Sequence, residues 1–133
     1  MLCVGETKAE RDDKKAEQVV IDQLQASIPE HAPPTCLMIA YEPVWAIGTG
    51  AVASPDDIAV IHNVIGSLLA ERYGADNVPP ILYGGSVNAD NAASLFSIPL
   101  VGGALVGGAS LEADAFAAIC TAAQAATSLR ADL

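Results

Sequence analysis

Three times along this chain a short apolar run ends in a polar or glycine-rich loop and gives way to a stretch with helical signals. The runs are 35–41 (TCLMIAY), 80–83 (PILY) and 103–106 (GALV). The first leads into Glu42, the second into Gly84-Gly85 and the third into Gly107-Gly108. A helix is expected after each. Strand and helix alternating in this way specify a parallel sheet with right-handed crossovers, an α/β fold. Near-continuous apolar runs without in–out alternation suit strands covered on both faces.

Local signals place the elements. Residues 1–4 (MLCV) read as the end of a further strand, without its beginning. Residues 10–24 read as a helix with Ala16, Val19, Val20 and Leu24 on its apolar side. Pro29, Pro33 and Pro34 make 25–34 a loop. Ser54-Pro55-Asp56-Asp57 is a helix start, with Ser54 as N-cap, proline at the first helical position and acids in the first turn. That helix is expected to end at Gly74. A short helix over 88–97 and an alanine-rich one over 111–129 follow. No interdomain linker or low-complexity tract interrupts the series.

Charge narrows the function classes. The formal net charge is −10, from 16 acids against 6 bases. Such a surface repels nucleic acids and anionic membranes, so any anion must be held locally, by backbone amides or a helix N-terminus. Cys3, Cys36 and Cys120 have no metal-binding or Cys-x-x-Cys spacing and read as buried or partly buried free thiols. No metal or cofactor is expected. The start of the chain reads as lacking a signal peptide, and no run reaches the ~18 apolar residues of a membrane span. A soluble, cytoplasmic protein is the expectation.

In parallel α/β folds ligands bind at the carboxyl ends of the strands. Glu42, at such an end, is either a surface acid or a general base. Beyond it, Pro43-Val44-Trp45 is stiff and bulky, while Ala46-Ile47-Gly48-Thr49-Gly50 is small and permissive. Stiff flanks around a flexible tip suit a lid. Gly84-Gly85-Ser86 and Gly107-Gly108-Ala109-Ser110 are each either tight turns or anion sites. The second pair enters a helix, where amides and macrodipole favour phosphate. Two such loops beside a glycine-tipped lid favour a phosphate cradle. His31 lies at the wrong end of the sheet and His62 inside a helix; both read as surface or packing residues.

AYEPVWAIGTG (40–50), ILYGGSV (81–87), GALVGGASL (103–111) and CVGET (3–7) resemble triosephosphate isomerase in order and spacing. The similarity spans essentially the whole chain but only the C-terminal half of the family's barrel. It implies a partial (β/α)8 TIM barrel: the last three to four βα units, parallel strands with outer helices, and residues 1–133 as a single half-barrel segment. It also implies interconversion of dihydroxyacetone phosphate and glyceraldehyde 3-phosphate through an enediolate, in glycolysis and gluconeogenesis. By position Glu42 matches the base. Gly48, Ser86, Gly107 and Gly108 match residues whose amides hold the phosphate. Glu6 and Trp45 match a pair hydrogen-bonded when the lid is open, and Tyr83 and Ser86 match residues that hold it closed. Ile47 belongs to the lid, and Cys3 matches a cysteine packed near the base.

The departures bear on activity. The family's electrophilic His, its Lys and its Asn lie in the N-terminal half, as does its dimer-forming loop, and nothing here corresponds to them. Ala51-Val52-Ala53 stands at the lid's far hinge where a Lys-Thr-Ala-like run is usual, and Lys14 where glycine is common. A closed barrel needs eight strands and typically ~250 residues. The resemblance therefore implies two readings: an isomerase segment that works with the missing half of a homodimeric enzyme, or an inactive half-barrel that self-associates or binds phosphate only. A different phosphate-binding barrel would require the match over 40–50 to be fortuitous.

Overall fold

The computed structural model describes residues 1–131, so the last two residues of the expected segment lie outside it. Four strands, β1 (Leu2–Val4), β2 (Ile39–Tyr41), β3 (Ile81–Tyr83) and β4 (Gly103–Ala104), form one sheet in chain order. All three pairings are parallel. The helices are α1 (Lys8–Asp12), α2 (Ala16–Ser27), α3 (Pro55–Tyr73), α4 (Ala92–Ser97) and α5 (Ala113–Ala131). The expected parallel α/β architecture is present.

Register assigns the two faces of the sheet. Val4, Tyr41 and Tyr83 lie in one row and Ile39 and Ile81 in another. All five are buried in one apolar cluster with Val20 and Leu24 of α2 and Ile58, Ile61, Ile65 and Leu69 of α3. Cys3, Ala40, Leu82 and Gly103 form the row between them and take the opposite face. Cys3 is exposed there, and so are Cys36 and Cys120, which corrects the expectation of buried thiols.

Several elements are shorter than the sequence suggested. The helix expected over 10–24 is two helices. Lys14, at φ 60°, breaks it in the left-handed region where glycine is favoured. A capping box starts α1: the Thr7 hydroxyl accepts from the Glu10 amide and the Glu10 carboxylate from the Thr7 amide. The apolar run 35–41 opens with a 3-10 turn at Pro34–Cys36, because proline cannot donate to a ladder. Its sheet bonding begins at the Met38 carbonyl, which accepts from the Leu2 amide. Residues 88–91 form turns held by Asn88 and Asn91 side chains, so α4 begins only at Ala92. The expected loop 43–53 contains a 3-10 turn, Val44–Ala46. Another, Gly108–Leu111, separates Gly107 from α5, so the glycine pair opens a short turn and not the long helix.

The expected start of α3 is present. Ser54 caps it by accepting from the Asp57 amide, Pro55 is its first residue, and Gly74, at φ 87°, ends it. Among the described residues no helix is long and apolar enough to cross a membrane.

Candidate active site

Because the strands follow chain order, the loops after β2, β3 and β4 stand side by side at one edge. They enclose a cavity of about 410 Å³ lined by Glu42, Ile47, Gly48, the 84–87 loop and Leu105–Gly108. Glu42 enters it from the end of β2, held there by its amide's bond to the Val4 carbonyl, 2.7 Å. Ser86, Gly107 and Gly108 line the same cavity. The structure thus brings together Glu42, Gly48, Ser86, Gly107 and Gly108, all singled out from sequence.

Two glycines make room for Glu42, one for its side chain and one for its backbone. A Cβ on Gly84 would lie 2.5 Å from Glu42 Cγ, and one on Gly5 would lie 1.8 Å from the Glu42 carbonyl oxygen. Cys3 borders Glu42 from β1. Partial desolvation, and then the hydrogen bond and charge of Glu42, push its thiol above the ordinary range. A protonated thiol donates to the carboxylate without competing for a proton.

The loop after Glu42 has firm ends and a wet middle. Ala46 and Ala53 are 0% and 1% exposed, whereas every residue from Ile47 to Val52 is exposed. Ala53, at the end of this loop, is part of the core. Gly48 at φ 66° and Gly50 at φ 77° take left-handed conformations that a side chain would strain. Thr49 closes the tip by donating its hydroxyl to the Trp45 carbonyl, 2.8 Å.

Trp45, Glu6 and Tyr83 lie outside the cavity lining, supporting it from behind. The Trp45 indole donates to Glu6 Oε1 at 2.8 Å, and the Tyr41 hydroxyl donates to the same carboxylate. Burial, and then the Glu6 charge, push the Tyr41 hydroxyl up out of its ordinary range. Ser86 donates to the Ala46 carbonyl at 2.9 Å, tying the loop after β3 to the start of the loop after β2. The Tyr83 hydroxyl is buried facing the Ala53 backbone but meets no hydrogen bond of good geometry. It thus lies beside the far end of the loop after β2.

Three residues of this assembly escaped the sequence reading as site residues: Tyr41, Arg11 and Asp57, which complete the cluster around Glu6. For Arg11, the available signal was thin: one of six basic residues, five positions after Glu6, on what reads as an ordinary charged helix face. His31 is exposed in the loop before β2, away from the cavity. His62 is fully buried, as a packing residue.

The triosephosphate isomerase family profile matches residues 1–123. The triosephosphate isomerase of Xanthobacter flavus is 54% identical over 123 residues, covering 92% of this chain and 49% of that protein. That of Acidiphilium cryptum is 52% identical over 131 residues, covering 92% of this chain and 52% of that protein. The crystal structure of triosephosphate isomerase from Bartonella henselae superposes with a TM-score of 0.82 at 41% identity, covering 92% of this chain and 49% of that one. The chain spans about half the length of the curated relatives it matches.

Proposed function

The chain belongs to the triosephosphate isomerase family, and we propose that it is the C-terminal half-barrel of a triose-phosphate isomerase, carrying the base, the lid and the phosphate cradle of that reaction. One observation carries this reading: Glu42 shares a single cavity with Gly48, Ser86, Gly107 and Gly108. A triose phosphate needs a carboxylate at its carbon end and backbone donors at its phosphate end. The cavity has both among its lining residues.

In this proposal Glu42 takes a proton from the carbon beside the carbonyl of dihydroxyacetone phosphate. The electron pair passes into an enediolate, and Glu42 returns the proton to the neighbouring carbon to give glyceraldehyde 3-phosphate. A second proton moves between the two oxygens, so no atom is gained or lost. Amides of Gly48, Gly107, Gly108 and Ser86 hold the phosphate, and its binding draws Ile47–Val52 over the site and excludes water. Glu6 and Trp45 support the open lid, Tyr83 and Ser86 the closed one. The groups that polarise the carbonyl and shuttle the oxygen-bound proton, a His, a Lys and an Asn, come from a segment equivalent to the relatives' other half. Activity in the homodimeric, cytoplasmic setting of glycolysis and gluconeogenesis depends on that segment.

The test is complementation. Mixed with the N-terminal half of a relative, the chain should isomerise triose phosphate, and Glu42→Asp should lower kcat strongly with little change in phosphate affinity. Rapid turnover by the chain alone, or indifference to Glu42→Asp, would overturn the proposal.

A second reading has its own support. β1 and β4 are edges of the described sheet, and on the face opposite the core Cys3 is exposed and Leu82 half-buried. Exposed edges and a partly exposed face invite pairing. On this reading the chain is an inactive module that self-associates or binds phosphate only. Sedimentation showing a concentration-dependent oligomer, with no activity on complementation, would favour it.

A further inference from the structure

Glu6 is 0% exposed and accepts from three side chains on three different elements. From Arg11 on α1, Nε donates to Glu6 at 2.7 Å, Nη2 to the Tyr41 hydroxyl at 3.2 Å, and Nη1 to Asp57 at 2.8 Å. The guanidinium also sits over the Trp45 ring, 5.5 Å from its centroid. Desolvation acts to lower its pKa, but the bonds to Glu6 and Tyr41 more than offset this and keep it charged.

These partners lie on both sides of the lid. Trp45 stands at its start, just before the buried anchor Ala46. Asp57 stands in the first turn of α3, four residues after the buried anchor Ala53. We propose that Arg11 is a positioning residue that ties the two ends of the lid to one buried carboxylate. Through it, the release of Trp45 from Glu6 at one end is coupled to the Asp57 ion pair at the other. A planar fork donating in three directions can do this. A lysine ammonium can pair with Glu6 or with Asp57 but cannot span them and cover the indole. The proposal rests on the reading of Ile47–Val52 as a lid, and it adds what sets the balance between the lid's states.

Trp45 is the only tryptophan of the chain, so its fluorescence reports one end of the lid without any ligand. Acrylamide quenching should be measured on the full chain, as wild type, Asp57→Asn, Arg11→Lys, the double variant and Lys8→Met. Asp57 does not touch Trp45. Even so, Asp57→Asn should raise the quenching-accessible population of Trp45 by about two- to fivefold, the range expected for losing a half-exposed ion pair. Arg11→Lys should raise it at least as much. Adding Asp57→Asn to Arg11→Lys should change little, because the two act through one group. Lys8→Met removes only an exposed pair with Asp12 and should leave quenching unchanged. Wild-type quenching in Asp57→Asn, or additive effects in the double variant, would overturn the proposal. If Arg11→Lys fails to fold by circular dichroism, Asp57→Asn alone decides. A parallel titration with inorganic phosphate separates the two readings: absence of phosphate binding would count against the proposed function and leave the quenching comparison intact.

Discussion

His62 makes the stability of this chain depend on pH in a calculable way. The imidazole lies inside α3, fully buried, with its ring edge-on to Tyr41 at 6.0 Å. Nδ1 lies 3.2 Å from the Leu100 carbonyl oxygen. A carbonyl only accepts, so Nδ1 carries the proton of the neutral ring. Nε2 is buried with no partner. Protonating it would place a new donor, and a charge, where nothing receives them. Burial, only partly opposed by the Leu100 carbonyl, lowers the pKa from 6.5 to about 4.

The sign follows from which form the fold prefers. The folded state favours neutral imidazole, so the stabilisation is complete above the unfolded value near 6.5. It is lost as pH falls towards the folded value near 4. The difference of 2.5 pH units, at ~1.36 kcal/mol each, makes the loss about 3 kcal/mol between pH 7 and pH 4. For a domain of ordinary stability that is a large fraction of the total. The control is His62→Asn, whose side-chain amide can donate to Leu100 from near the Nδ1 position but does not titrate. Urea unfolding followed by Trp45 fluorescence, from pH 7.5 to 4, should show the wild type losing about 3 kcal/mol more than the variant over that range. Protonation of carboxylates is common to both chains and cancels in the difference. Parallel pH profiles for the two proteins would refute the reasoning, whatever their absolute stabilities.

Gly84→Ala should push the Glu42 carboxylate aside, because the new Cβ would lie 2.5 Å from Glu42 Cγ; in the complemented enzyme kcat should fall about a hundredfold, with phosphate affinity retained on titration. Lys14→Gly should stabilise the chain by up to about 1 kcal/mol, read as a higher urea midpoint, since it relieves a left-handed side-chain residue at the expense of some unfolded-state entropy. Ser54→Ala should cost about 1 kcal/mol in the same measurement, because the Asp57 amide loses its cap.

What was legible in the sequence follows the range of the forces involved. Ser54, Pro55 and Gly74 fix the ends of α3 by local chemistry, and the structure has them where their residue types require. The parallel order of the strands follows from alternation, which is also local in the chain. The breaks were harder. Nothing in the composition of 10–24 shows that Lys14 would take a left-handed conformation; residues 10–15 are all charged, so no lapse in an apolar pattern marks the break, and only the tertiary path from β1 to α2 demands the turn. The 3-10 segments at Pro34–Cys36 and Gly108–Leu111 were hidden for a related reason. Neither segment buries a residue, so no apolar pattern marks it.

The site divides along the same line. Glu42, Gly48, Ser86, Gly107 and Gly108 were legible because each follows a strand, and in a sheet built in chain order the loops after neighbouring strands must meet. Arg11 was not, because its role depends on three partners at separations of 5, 30 and 46 residues. That difference bears on which functions this chain can hold by itself. Glu6 and Arg11 at one end of Ile47–Val52, and Ala53 and Asp57 at the other, all lie within these residues. On the proposed reading of that loop as a lid, its opening should therefore be measurable through Trp45 before any other segment is supplied. The proton chemistry should not, since a base at Glu42 needs a polarised carbonyl to work on, and in the proposed reaction the groups that polarise it come from the other half.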